Sequence, residues 1–269
     1  MDLMLKKRLV GVITVRDGLA VQSFGYSSYL PIGRPECVVE NFDRWGIDEI
    51  LLQVIDRSKE GMKLGCDLDL LRRIGKMGIG SPLIYGGGID SVEDALRAVE
   101  AGADRVLLDS LLVDKPDDVA LISHSLGAQA VIGSIPVLLR GDQIERFDHR
   151  TRASMPFPDR SLQLLESGLV SEALVVDCLH EGIHDSFDQE LISAFPVSTL
   201  PLIAFGGISS PDQMIALLGS KAVSAVAVGN SLNYREHAVQ RLKECLTKMP
   251  IRPATYESRY PLVYTHAKN

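Results

Sequence analysis

Pro82-Leu83-Ile84-Tyr85-Gly86-Gly87-Gly88-Ile89-Asp90-Ser91 and Pro201-Leu202-Ile203-Ala204-Phe205-Gly206-Gly207-Ile208-Ser209-Ser210 align without a gap, at a constant offset of 119 residues. Each passes from an apolar run through glycines to a serine. Each serine then precedes an acidic, helix-period segment (Val92-Glu93-Asp94 and Pro211-Asp212), the pattern of an N-cap with a first turn that suits the helix dipole. The register continues to a second apolar run in each half, at 106–108 and 225–227. A repeat of about half the chain predicts two similar half-structures.

Working outward, strands are expected at 9–15, 49–55, 82–85, 105–108, 130–137, 173–177, 201–205 and 224–228. Helical periodicity falls between them, at 37–45, 67–77, 92–101, 117–124, 162–169, 189–194, 211–218 and 235–248. Eight strand–helix alternations in 269 residues predict an α/β fold, a (β/α)8 TIM barrel with a two-fold half-barrel repeat. An open doubly wound sheet is the architectural alternative, and it does not predict the repeat. Residues 1–248 are assigned to the barrel. Residues 249–269, with Tyr256, Tyr260 and Tyr264, are assigned to a C-terminal extension.

Composition excludes several classes. No apolar run reaches the roughly 18 residues of a membrane span, and the start of the chain lacks the features of a secretion signal. A cytoplasmic protein is expected. The net charge is −7 and the basic residues are dispersed, which argues against nucleic acid. Cys37, Cys66, Cys178 and Cys245 are far apart and read as reduced thiols. His180 and His184 lack the further ligands of a zinc site, and nothing calls for a cofactor.

Each repeat sets a glycine cluster between strand and helix, where backbone N–H groups approach an anion closely. The following strand of each half ends in small polar residues. Gly87, Gly88, Asp109 and Ser110 are therefore expected to form one phosphate cradle, and Gly206, Gly207, Gly229 and Asn230 the other. Tight turns alone are the alternative for either cluster. Bulky replacements of Gly87 or Gly207 are expected to block an anion and leave the fold intact.

With these motifs in place, the chain resembles HisF, the cyclase subunit of imidazole glycerol phosphate synthase, from Lys7 to about Lys248. The matching pieces are Lys7-Arg8…Val15-Arg16-Asp17-Gly18, residues 86–91, Ala101-Gly102-Ala103-Asp104-Arg105-Val106, Gly206-Gly207 and Asn233-Tyr234-Arg235-Glu236. The resemblance implies a two-fold barrel with two phosphate sites that takes ammonia from a HisH-like glutaminase. It also implies an ammonia gate at Arg8, Glu49, Arg105 and Glu172, and a partner contact at Asp104.

The family's two catalytic Asp positions are occupied here by Thr14 and Pro136, and neither side chain can shuttle protons near neutral pH. The nearby carboxylates are Glu181, in the family's Asp-Arg-Asp-Gly-Thr frame, and Asp17; these are the catalytic candidates, with Asp56 a further one. Gate without acid–base pair resembles the HisF-like proteins of surface-polysaccharide clusters, which help convert a sugar N-acetyl group to an acetamidino group. Residues 23–35 and 56–61 have the loop shapes of that branch. The implied ligand is a phosphorylated or nucleotide-linked small molecule. A true cyclase of histidine biosynthesis and a non-catalytic scaffold that activates a glutaminase are the alternatives.

The insertion at residues 140–152 is expected either to form a small hairpin at the catalytic mouth or to be a solvated excursion.

Overall fold

The computed structural model describes residues 6–59, 62–141, 143–233 and 237–254. Eight parallel strands, Arg8–Arg16, Glu49–Val54, Leu83–Gly86, Arg105–Leu108, Val131–Arg140, Glu172–Asp177, Leu202–Phe205 and Val223–Val228, pair in that order. The last pairs with the first, Arg8 opposite Ala225, and closes the barrel. The expected strands are all present, with shifts of at most three residues at their ends. The Tyr256, Tyr260 and Tyr264 segment and residues 234–236 of the Asn233 motif lie outside the described residues.

Strands buried on both faces explain the near-continuous apolar runs. Successive side chains alternate between the two faces. Leu9, Ile13 and Val15 pack outward against the helices. A Cβ at Gly11 would sit 2.6 Å from Phe42, so a helix lies directly against that strand. Val10, Val12, Leu51, Ile84, Leu107, Ile132, Leu174, Val176, Ile203, Phe205, Ala225 and Ala227 form a separate inner cluster that fills the bore.

The repeat is visible in the backbone. Ser91 accepts from Asp94 N–H and Ser210 from Gln213 N–H, each capping a helix of nine residues (Val92–Glu100 and Pro211–Gly219). Gly87 and Gly206 have φ of 141° and 109°; Gly88 and Gly207 have 71° and 76°.

Two decorations break the symmetry on the face where strands end. After strand one a hairpin (Leu19–Phe24 and Ser28–Gly33) pairs with it, Thr14 opposite Val21. After strand five, Gln143–Asp148 pairs with that strand and with Ala153–Met155, so of the two forms considered for residues 140–152 the hairpin is present, and it runs on to Met155. On the opposite face Lys7 bridges to Ile251, with Lys7 N–H donating to Pro250 O at 2.9 Å. A buried ion pair, Lys243 Nζ to Asp48 Oδ1 at 2.8 Å, fastens the last helix (Ala238–Cys245) beside strand two. No helix among the described residues is long and apolar enough to cross a membrane.

Candidate functional site

Strand alternation fixes both ends of the bore. Arg8 and Thr14 share parity with the inward Val10 and Val12, as Glu49 does with Leu51, Arg105 and Asp109 with Leu107, and Glu172 and Cys178 with Leu174 and Val176. The first residues of these strands therefore meet at the bottom and the last at the top.

At the bottom, four charges form a closed ring. Arg8 Nη1 donates to both Glu49 oxygens at 3.0 Å, and its Nη2 donates to Glu172. Arg105 completes the circuit, with Nη2 on Glu172 Oε2 at 2.8 Å and Nη1 on Glu49 Oε1 at 3.4 Å. Burial disfavours the Arg8 cation, yet the two carboxylates outweigh it and its pKa rises; the Glu172 pKa falls because burial is outweighed by Arg8, Ser224 and Arg105. Ser224, which no motif marks, donates to Glu172 at 2.5 Å. Asp104 lies exposed on this face, one oxygen accepting Leu83 N–H at 2.7 Å.

At the top, the first hairpin reaches across the mouth and is held from four sides. Glu181, buried, accepts from Ser23 Oγ and from Tyr26 N–H, both at 3.1 Å, and its backbone O accepts Gly25 N–H. Burial raises the Glu181 pKa despite these bonds. Asn230 pairs with the Ser23 backbone. The Tyr26 hydroxyl donates to Gln53 Oε1 at 3.2 Å, and its ring meets His149 edge-on with centroids 4.8 Å apart. Tyr26 also packs against the inner cluster of the bore. Burial, with Glu181 nearby, holds its phenol protonated.

Two cavities open beside this strap. The larger, about 650 Å³, contains Thr14, Glu181, Gly206, Gly207, Gly229, Asn230 and Ser231 in its wall. Ser231 Oγ is buried and has no hydrogen-bond partner among the described residues. The smaller, about 360 Å³, contains Gly87, Gly88, Asp109, Arg57, His149 and Arg152. Asp109 accepts from the buried Arg146 of the second hairpin at 2.5 Å. Crowding by protein nonetheless pushes the Asp109 pKa up to about 6, and burial pushes that of His149 down to about 4.

The structure thus brings the predicted glycines to two cavities, one per half, and places Glu181 and Asn230 against the hairpin. Asp17 sits apart. With φ of 49°, followed by Gly18 at 79°, it forms the two-residue turn between strand one and the hairpin, and its side chain is 76% exposed. Pro136 is buried in strand five and enters neither cavity. Ser110 opens the short helix Leu111–Asp114. His180 Nδ1 pairs with the buried Asp177 at 2.7 Å.

Bulky replacement of the cradle glycines is not a neutral probe, contrary to expectation. A Cβ on Gly87 would lie 2.1 Å from Val54 O, and one on Gly207 2.8 Å from His180 O, at φ values that side chains resist. Gly229 is different: the nearest atoms are 3.7 Å away.

The family model described as histidine biosynthesis protein matches residues 8–238. Among curated relatives, imidazole glycerol phosphate synthase subunit hisF2 of Vibrio vulnificus, so named provisionally, is 30% identical over 87% of this chain and 86% of its own length. Subunit HisF of the same synthase from Exiguobacterium sibiricum is 30% identical over 83% of this chain and 90% of its own. The Thermococcus gammatolerans HisF is 29% identical over 93% and 99%.

Proposed function

Because the chain belongs to the histidine biosynthesis protein family and is HisF-like over its barrel, we propose that it is the ammonia-receiving subunit of a glutamine-dependent synthase. It binds a phosphorylated substrate at the mouth and serves acetamidino-sugar formation in surface-polysaccharide synthesis. The observation that carries this reading is the closed ring of Arg8, Glu49, Arg105 and Glu172 at one end of a bore whose other end lacks the acid–base pair.

A ring of alternating charges satisfies each member's cost of burial and shuts the bore to water and ions. Ammonia, small and neutral, passes such a barrier when one pair opens and crosses an apolar bore without becoming ammonium. A HisH-like glutaminase docked on the same face, in contact with Asp104, is the source. Substrate phosphate sits against Gly206, Gly207 and Gly229, where Ser231 Oγ supplies an unused donor. Glu181 and Tyr26 hold the strap over this site.

The relatives' names favour a second reading, a true imidazole glycerol phosphate synthase cyclase. It requires acid–base groups at the mouth. Thr14 and Pro136 supply none, and Glu181 is committed to the hairpin. Losing such a group costs about 10²–10⁴-fold.

Co-expression with the HisH-like glutaminase of the same genome tests both. The expected result is a complex weakened by Asp104→Ala, glutamine hydrolysis stimulated by the barrel, and negligible turnover of the histidine-pathway intermediate with ammonia. Efficient cyclisation establishes the second reading, and absence of a complex removes the first.

A further inference from the structure

The two cavities differ in chemistry although the halves that build them are repeats. The smaller has Asp56, Arg57, Asp109, His149, Arg150 and Arg152 in its wall. The larger begins at the cradle of Gly206, Gly207 and Ser231 and continues outward between the first hairpin and the last helix. Val21, Phe24, Ile32, Val38, Ala238 and Leu242 form an apolar stretch of its wall, beside the polar Ser209, Ser210 and Asn233. Among the described residues, Arg241 and His184 are the basic side chains that line it, and the carboxylate there, Glu181, is turned onto Ser23 and Tyr26. Ile32 is 38% exposed at its rim, an apolar side chain left uncovered where a sugar or a second phosphate would need donors.

A wholly polar ligand filling the cavity of about 650 Å³ would leave its groups unpaired along the apolar stretch, which is costly. We propose that the larger cavity takes a phosphate ester of a hydrocarbon chain, the phosphate at Gly206, Gly207 and Ser231 and the chain along Ile32, Val38 and Leu242. The acceptor in the reading above is then a lipid-linked saccharide and not a nucleotide-linked one. This inference rests on phosphate binding at the second cradle, and it names the substrate class of that site.

Alkyl phosphates of graded length test it by calorimetric titration of the full chain below their micelle concentrations. Each buried methylene is worth about 0.8 kcal/mol, close to fourfold in Kd. Octyl phosphate, four methylenes longer, should therefore bind up to about two-hundredfold more tightly than butyl phosphate, and octanol, without the head group, only weakly. Ile32→Ser should shrink the chain-length dependence and leave inorganic phosphate binding unchanged. Gly229→Asp, which the backbone accommodates, should weaken every phosphate ligand. Geranyl phosphate beside octyl phosphate separates prenyl from straight-chain carriers, and tight binding of either supports the site. If inorganic phosphate and all its esters fail to bind, the phosphate reading itself falls. If phosphate binds but chain length has no effect, or uridine diphosphate binds more tightly than octyl phosphate, this inference alone is overturned.

Discussion

Asn230 grips the Ser23 backbone with both ends of its amide: Oδ1 accepts Ser23 N–H at 3.2 Å and Nδ2 donates to Ser23 O at 2.7 Å. A residue at the tip of strand eight is thereby fixed to the hairpin after strand one, through both polar atoms of its amide.

Asn230→Ala removes both bonds, each worth about 0.5–1.5 kcal/mol net. Amide exchange across residues 19–33 should rise by roughly tenfold or more while the barrel strands keep their protection. Unchanged exchange would show that Glu181 and Tyr26 hold the strap unaided.

His149 should make the mouth acid-sensitive. Burial lowers its pKa from the usual 6.5 to about 4. Between those values the unfolded chain binds a proton that the native state does not, so stability is lost as pH falls from about 6.5 to 4, by about 1–2 kcal/mol at pH 5. Asp109 acts in the opposite sense over nearly the same range, since the native state keeps its proton up to about pH 6. The decisive measurement is therefore the difference in denaturation midpoint between the wild type and His149→Phe at pH 7 and pH 5. A gap that does not narrow on acidification excludes a titrating His149.

Arg8→Met leaves Glu49 and Glu172 sharing Arg105. With the ring mostly buried, about 2–3 kcal/mol should be lost, a melting-temperature drop of roughly 5–10 °C. In the complex, glutamine should be consumed without matching product, while synthesis driven by ammonium salts persists. Arg8→Lys should restore part of the coupling. Tight coupling in Arg8→Met would leave the ring a structural plug.

The barrel was legible because its evidence is local and repeated: apolar runs, capping serines and glycine clusters at one offset. The ring was legible only through family resemblance, with parity along the strands supplying the geometry afterwards. The first hairpin was missed although Asp17-Gly18 is a strong two-residue turn signal. Asp17 carries a carboxylate, but its backbone conformation is what the turn uses. The pairings of Glu181 with Ser23 and of Asp109 with Arg146 join residues 158 and 37 positions apart. No local pattern encodes such contacts, so residues expected to face a substrate proved to be held by their own chain.

The bridge between Lys7 and Ile251 brings two ends of the barrel path together on the face that carries the charged ring. Covalent attachment at either position would put a tethered protein over the same entrance, at an effective concentration in the millimolar range for a short flexible linker. Fusing a glutaminase there turns a bimolecular encounter into an intramolecular one. A domain joined at either position would therefore start from the same edge of the charged ring.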